Sequence, residues 1–133
     1  MRPALLALLL TSVSVRAEAP KPYTIEAVAP ATVEVGKAAS VRLTFTPKAP
    51  YHTSLDFPTR LNASATGEIV LPNAVQKRSD AKSWTAERGE FEISFTAKKA
   101  GPFQLHAELR SAVCSKATCI PLREKLVWNV TAQ

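Results

Sequence analysis

Apolar side chains recur at every second position in short runs from Tyr23 to Val130. A period of two belongs to an extended strand, whose successive side chains point to opposite faces. Tyr23, Ile25 and Ala27 alternate with polar neighbours, and Val41, Leu43 and Phe45 do so against Arg42 and Thr44. A short run ends at Ile69, Val70 and Leu71, and Phe91, Ile93 and Phe95 alternate with Glu92 and Ser94. Phe103, Leu105, Ala107 and Leu109 follow, then Leu122, Leu126, Trp128 and Val130. Turn residues separate the runs, among them Pro30, Gly36, Pro50, Pro72 and Gly101. No amphipathic helical pattern interrupts the series. About seven short strands in roughly 110 residues predict an all-β, immunoglobulin-like two-sheet β-sandwich. Residues 73–89 form the longest polar connection, and Trp84 is the apolar outlier within it.

The opening residues read as an address. Arg2 precedes the apolar run Ala4-Leu5-Leu6-Ala7-Leu8-Leu9-Leu10, and Val15-Arg16-Ala17 supplies small residues for a cut. The run is shorter than the roughly 20 residues a membrane helix needs, so it is a secretory signal and not a span. The expectation is a signal peptide over residues 1–17 and one domain over residues 18–133, periplasmic or secreted. No later stretch is apolar enough to span a membrane.

The chain has a formal charge of +6, and loss of Arg2 and Arg16 with the leader brings it to +6 − 2 = +4. Its basic residues are scattered among acidic ones, with Lys77-Arg78 and Lys98-Lys99 the only clusters, and no aromatic stripe accompanies them. That composition gives no footprint for nucleic acid. His52 and His106 are the two histidines, and the one methionine is Met1, so a copper set of two histidines, cysteine and axial methionine is incomplete. No metal or cofactor is expected. No nucleophile elbow, phosphate loop or metalloprotease helix is present.

The two cysteines are the distinctive chemistry. With residues 115–118 as the loop of a hairpin, Cys114 lies opposite Cys119. Carried outward, the register sets Phe103 against Val130, Leu105 against Trp128, Ala107 against Leu126 and Val113 against Ile120, all on one face. Glu108 then meets Lys125 on the other face. Leu109 against Glu124 and Arg110 against Arg123 fit badly, and a bulge near Pro121 is the expected relief. Both cysteines fall on the outward face. Opposed Cβ atoms stand about 4.5–5.5 Å apart, near the roughly 3.5–4.5 Å of a disulfide, so a bond is feasible.

Two readings compete for that pair. A structural staple is the common fate of exported cysteines. Against it, a loop this short stabilises by only about 2 kcal/mol in the chain-entropy model, and the bond joins no two sheets. Lys116, Arg110 and Arg123 lie near the pair and favour thiolate over thiol, as exchange chemistry requires. The alternative to an exchange module is a non-catalytic immunoglobulin-like binding or assembly domain with a structural disulfide.

The segment Val113-Cys114-Ser115-Lys116-Ala117-Thr118-Cys119-Ile120-Pro121 resembles the Cys-x4-Cys-(Leu/Ile)-Pro segment of the N-terminal periplasmic domains of the DsbD family of thiol:disulfide interchange proteins. Pro47-Lys48-Ala49-Pro50-Tyr51-His52, a proline-rich stretch before a Tyr-His pair, adds to the resemblance. The resemblance implies that Cys114 and Cys119 are redox thiols. They would take electrons from a thioredoxin-like protein or membrane electron-transfer protein and pass them to oxidised exported proteins. It also implies a cap loop with an acidic residue and aromatics, for which Asp80 and Trp84 are the candidates here. Two departures stand out: the family continues into membrane and thioredoxin domains whereas this sequence stops at Gln133, and the acidic-aromatic-glycine wording of the cap is missing.

Overall fold

The computed structural model describes residues 20–133, so the signal peptide expected over residues 1–17 lies outside the described residues. Eleven strands follow in order: β1 Tyr23–Val28, β2 Thr32–Val33, β3 Ala38–Pro47, β4 His52–Thr53, β5 Arg60–Ala65, β6 Ile69–Val70, β7 Val75–Lys77, β8 Ser83–Trp84, β9 Gly89–Ala97, β10 Gly101–Cys114 and β11 Cys119–Ala132. A 3-10 turn, Arg78–Asp80, sits between β7 and β8. One sheet orders β1-β3-β9-β6, with β8 also on β9; the other orders β2-β11-β10-β5-β7, with β4 also on β10. The chain passes between the sheets repeatedly, and the result is the immunoglobulin-like two-sheet sandwich that the alternation predicts. Six strands have six residues or more, and the other five are pairs or triplets that patch the sheet edges.

Alternation fills the space between the sheets. Val41, Leu43 and Phe45 from β3 and Phe91, Ile93 and Phe95 from β9 are at most 1% exposed. They meet Leu61 from β5 and Leu105, Leu109 and Val113 from β10, which are equally buried. Each such side chain contributes about 1.5–3 kcal/mol over an exposed one. Phe95 and Phe103 join the sheets edge-on, with ring centroids 5.9 Å apart. Gly89 is a requirement of this packing: a Cβ there would stand 2.2 Å from the Trp84 ring.

The β10–β11 hairpin has the register read from the sequence. All fourteen pairs run from Gly101 opposite Ala132 to Cys114 opposite Cys119. The bulge expected near Pro121 does not occur, because Pro121 pairs with Ala112 in an unbroken ladder. Side chains resolve the two misfits instead. Glu108 accepts from Arg110 Nε at 2.8 Å and lies 3.0 Å from Arg123 Nε, so one carboxylate bridges the opposed arginines. Glu124 accepts from Lys21 Nζ at 2.6 Å and from the Tyr23 hydroxyl, which gives a charge beside Leu109 two partners, one just before β1 and one at its first residue.

Candidate functional site

Cys114 closes β10 and Cys119 opens β11, and the two are joined in a disulfide with their Cα atoms 4.0 Å apart. The intervening turn is held by its own first residue. Ser115 N donates to Thr118 O at 2.8 Å, while Ala117 N and Thr118 N donate to Ser115 Oγ at 3.2 and 3.3 Å.

The two sulfurs differ in surroundings because their strands differ in neighbours. At this end β10 is an interior strand, flanked by β11 and by β4, where His52 stands opposite Cys114 and Thr53 opposite Val113. Among the described residues β11 has a second neighbour only at Thr131 and Ala132, where β2 runs beside it. Cys114 is therefore 7% exposed, whereas Cys119 is an exposed residue.

A hollow of about 600 Å³ opens over the pair, walled by residues 52–58 and both cysteines. Its lip is apolar: Leu55 is 53% exposed and Phe57 is half-buried. His52 and Asp56 are the titratable side chains in its wall. The segment is anchored at both ends. Ser54 N donates to Ala112 O at 3.0 Å, and the buried Thr59 and Ser111 hydroxyls are bonded at 2.8 Å. Between these anchors Phe57 N donates to Ser54 Oγ at 2.9 Å, and the Arg78 guanidinium donates to Leu55 O.

Asp80 and Trp84 do not line this hollow. The Asp80 carboxylate accepts from Lys77 N at 2.8 Å and so shapes the turn that carries Arg78, one step behind the lip. Trp84 stacks on Phe45 at 5.9 Å with planes 14° apart and tilts against Phe91 at 5.8 Å. Its Nε1 is buried and has no hydrogen-bond partner among the described residues. Trp84 also lines a second hollow, of about 810 Å³, which shares residues 55–58 with the first. Those four residues line both hollows.

His52, Asp56 and Phe57 are the neighbours that sequence reasoning did not single out. The acidic and aromatic types sought for a cap at residues 79–84 also stand at Asp56 and Phe57. What the sequence lacks is any fixed spacing that would tie that loop to the cysteines. His52 is an exposed residue, and strand pairing sets it directly across from Cys114.

Charge lies on the same face. Arg110 and Arg123 sit four residue pairs from the cysteines, and their hydrogen bonds, first Arg123 and then Arg110, hold the Glu108 carboxyl below the usual carboxylate range. Among the described residues no group of three or more His, Cys, Asp or Glu is placed to hold a metal ion. No helix among them is long and apolar enough to cross a membrane.

No protein-family model matches the sequence, and no curated protein matches it. Solved structures do. E. coli alpha-2-macroglobulin in its native conformation superposes with a TM-score of 0.51 at 17% identity, over 84% of this chain and 7% of that one. The likeness is one of fold. This chain thus spans a small part of that much longer protein. The CARDB domain of a Pyrococcus furiosus protein aligns at 19% identity over 84% of this chain and 94% of that chain, with a TM-score of 0.47. AggA, the major subunit of aggregative adherence fimbriae type I from Escherichia coli, aligns at 14% identity over 84% and 95%, with a TM-score of 0.48.

Proposed function

We propose that this chain is an exported thiol–disulfide exchange module, with Cys114 and Cys119 as its two redox thiols. The observation that carries the reading is the asymmetry of the bond: one sulfur sheltered under residues 52–58, the other exposed at a strand end. The resemblance of residues 113–121 to the DsbD N-terminal domains points the same way. The leader over residues 1–17 would deliver the domain of residues 18–133 to the periplasm or the exterior, where disulfides persist.

The step balances without a cofactor. A thiolate of a thioredoxin-like or membrane electron-transfer protein attacks Cys119 Sγ. The Cys114–Cys119 bond breaks, Cys114 leaves as a thiolate and takes a proton, and a mixed disulfide forms at Cys119. The donor's second thiolate attacks its own sulfur in that bond and releases Cys119. The donor gains a disulfide, and this domain gains two electrons and two protons. The reverse sequence passes them to a disulfide of an oxidised exported protein.

Equilibration with glutathione buffers, together with Cys114→Ser, tests this. The exchange module equilibrates, and Cys114→Ser, which keeps the exposed thiol, traps a mixed disulfide with glutathione while Cys119→Ser does so far more slowly. A folded protein that stays oxidised throughout, as bonds with potentials below about −300 mV do, would overturn it in favour of a binding domain with a structural disulfide.

A further inference from the structure

Four cationic residues stand side by side across four strands on the outward face of the larger sheet. Register pairs Lys77 of β7 with Arg60 of β5, Arg60 with Arg110 of β10, and Arg110 with Arg123 of β11. Paired residues share a face, and strands lie about 4.8 Å apart, so the row is roughly 14 Å wide. It lies on the face that carries the disulfide, four residues along β10, or about 13 Å, from Cys114. Among the described residues Glu108 is the one carboxylate bonded to the row, and it engages only Arg110 and Arg123. Arg60 and Lys77 are exposed and have no acidic partner among the described residues. Like charges directly opposed across strands repel, so the row works against the fold that carries it.

We infer that this row is the docking surface for the acidic face of the redox partner protein. The inference rests on the exchange reading and names the chemistry of the partner at that site. Continuity with the disulfide favours a protein over a lipid or nucleic acid. Phe57 and Pro58 line both the hollow over the cysteines and a groove of about 490 Å³ that reaches Arg60, Arg110 and Arg123. A body seated on the disulfide and its apolar lip therefore extends over the cations. An apolar centre with a charged rim is the common anatomy of a protein interface, and opposite charge on the rim speeds encounter.

The test uses two sets of short synthetic peptides of acidic, neutral and basic flanks, one set with a central serine and one with a central cysteine. The acidic serine peptide binds about tenfold tighter than the neutral one at low salt. That preference vanishes near 1 M salt, where the Debye length is about 3 Å. Arg60→Gln/Lys77→Gln removes most of it and leaves the fold intact, since neither side chain holds an ion pair. The acidic cysteine peptide reduces the disulfide faster than the neutral one by a similar factor, while dithiothreitol reduces wild type and variant alike. Acidic binding without any peptide exchange retains the surface and sinks the exchange reading. Exchange without charge preference does the reverse. Binding of phosphatidylglycerol vesicles or a single-stranded oligonucleotide through Arg60 and Lys77, with no acidic-peptide preference, overturns the assignment to a protein partner.

Discussion

His52 stands directly across the strand ladder from Cys114, on the same face of the sheet. Opposed residues bring their Cβ atoms to about 4.5–5.5 Å, which sets His52 beside the residue whose sulfur must leave when Cys119 is attacked. A proton or positive charge there lowers the barrier to breaking the bond. His52→Ala is expected to slow reduction by a monothiol about tenfold, less than the roughly 10²–10⁴-fold of full general-acid assistance. Stopped-flow reduction kinetics, with the urea midpoint as a folding control, measure it; an unchanged rate removes His52 from the chemistry.

Ser54 holds the lip through the Phe57 amide. Ser54→Ala frees that amide at a cost of about 1 kcal/mol. Amide exchange at Phe57 should accelerate, and Cys114 in the reduced protein should react faster with an alkylating reagent. Equal protection in both proteins would show that the lip is held by its end anchors alone.

The Tyr23–Glu124–Lys21 contact ties stability to pH at both extremes. Burial opposes the Glu124 charge, but hydrogen bonds from Lys21 and Tyr23 outweigh it and hold the carboxyl below its ordinary value of 4.5. Its stabilisation is present above that value and is lost as pH falls through the lower folded value. Burial, then the Glu124 hydrogen bond and charge, push the Tyr23 phenol well above its ordinary 10.0. That contribution is intact below pH 10 and is lost as pH rises toward the folded value. Tyr23→Phe should remove the alkaline decline and lower stability near neutrality by about 1–2 kcal/mol. Urea midpoints against pH give the answer, and parallel curves for the two proteins would refute it.

Gly89→Ala places a methyl where the Trp84 ring lies. The ring is wedged between Phe45 and Phe91, so it moves only by disturbing both. The expected cost is about 1–3 kcal/mol, as for other overpacked cores. In a Trp128→Phe background the Trp84 emission should shift to the red. A wild-type midpoint with unshifted emission would contradict this packing.

The longer strands were legible because each carries large apolar residues at alternate positions, and the hairpin register was legible because the two cysteines constrain it. β5 was not. In Arg60–Ala65 only Leu61 is a large apolar residue, and the inward positions beyond it are Ala63 and Ala65, so the alternation has little amplitude. Yet β5 pairs with β10 over six residues and supplies Arg60 to the basic row. The connection at residues 73–89 likewise contains β7, the 3-10 turn and β8, each too short for periodicity to register. The neighbours of the disulfide come from residues 52–58, remote in sequence, and only strand pairing brings them there.

The fourteen-pair ladder behind the cysteines bears on what reduction does to the molecule. The bond spans one tight turn, and every backbone contact that defines the sheet lies behind it. Opening it releases no strand and separates no layer. Oxidised and reduced forms therefore share one shape, and a partner has to tell them apart by the sulfur atoms themselves.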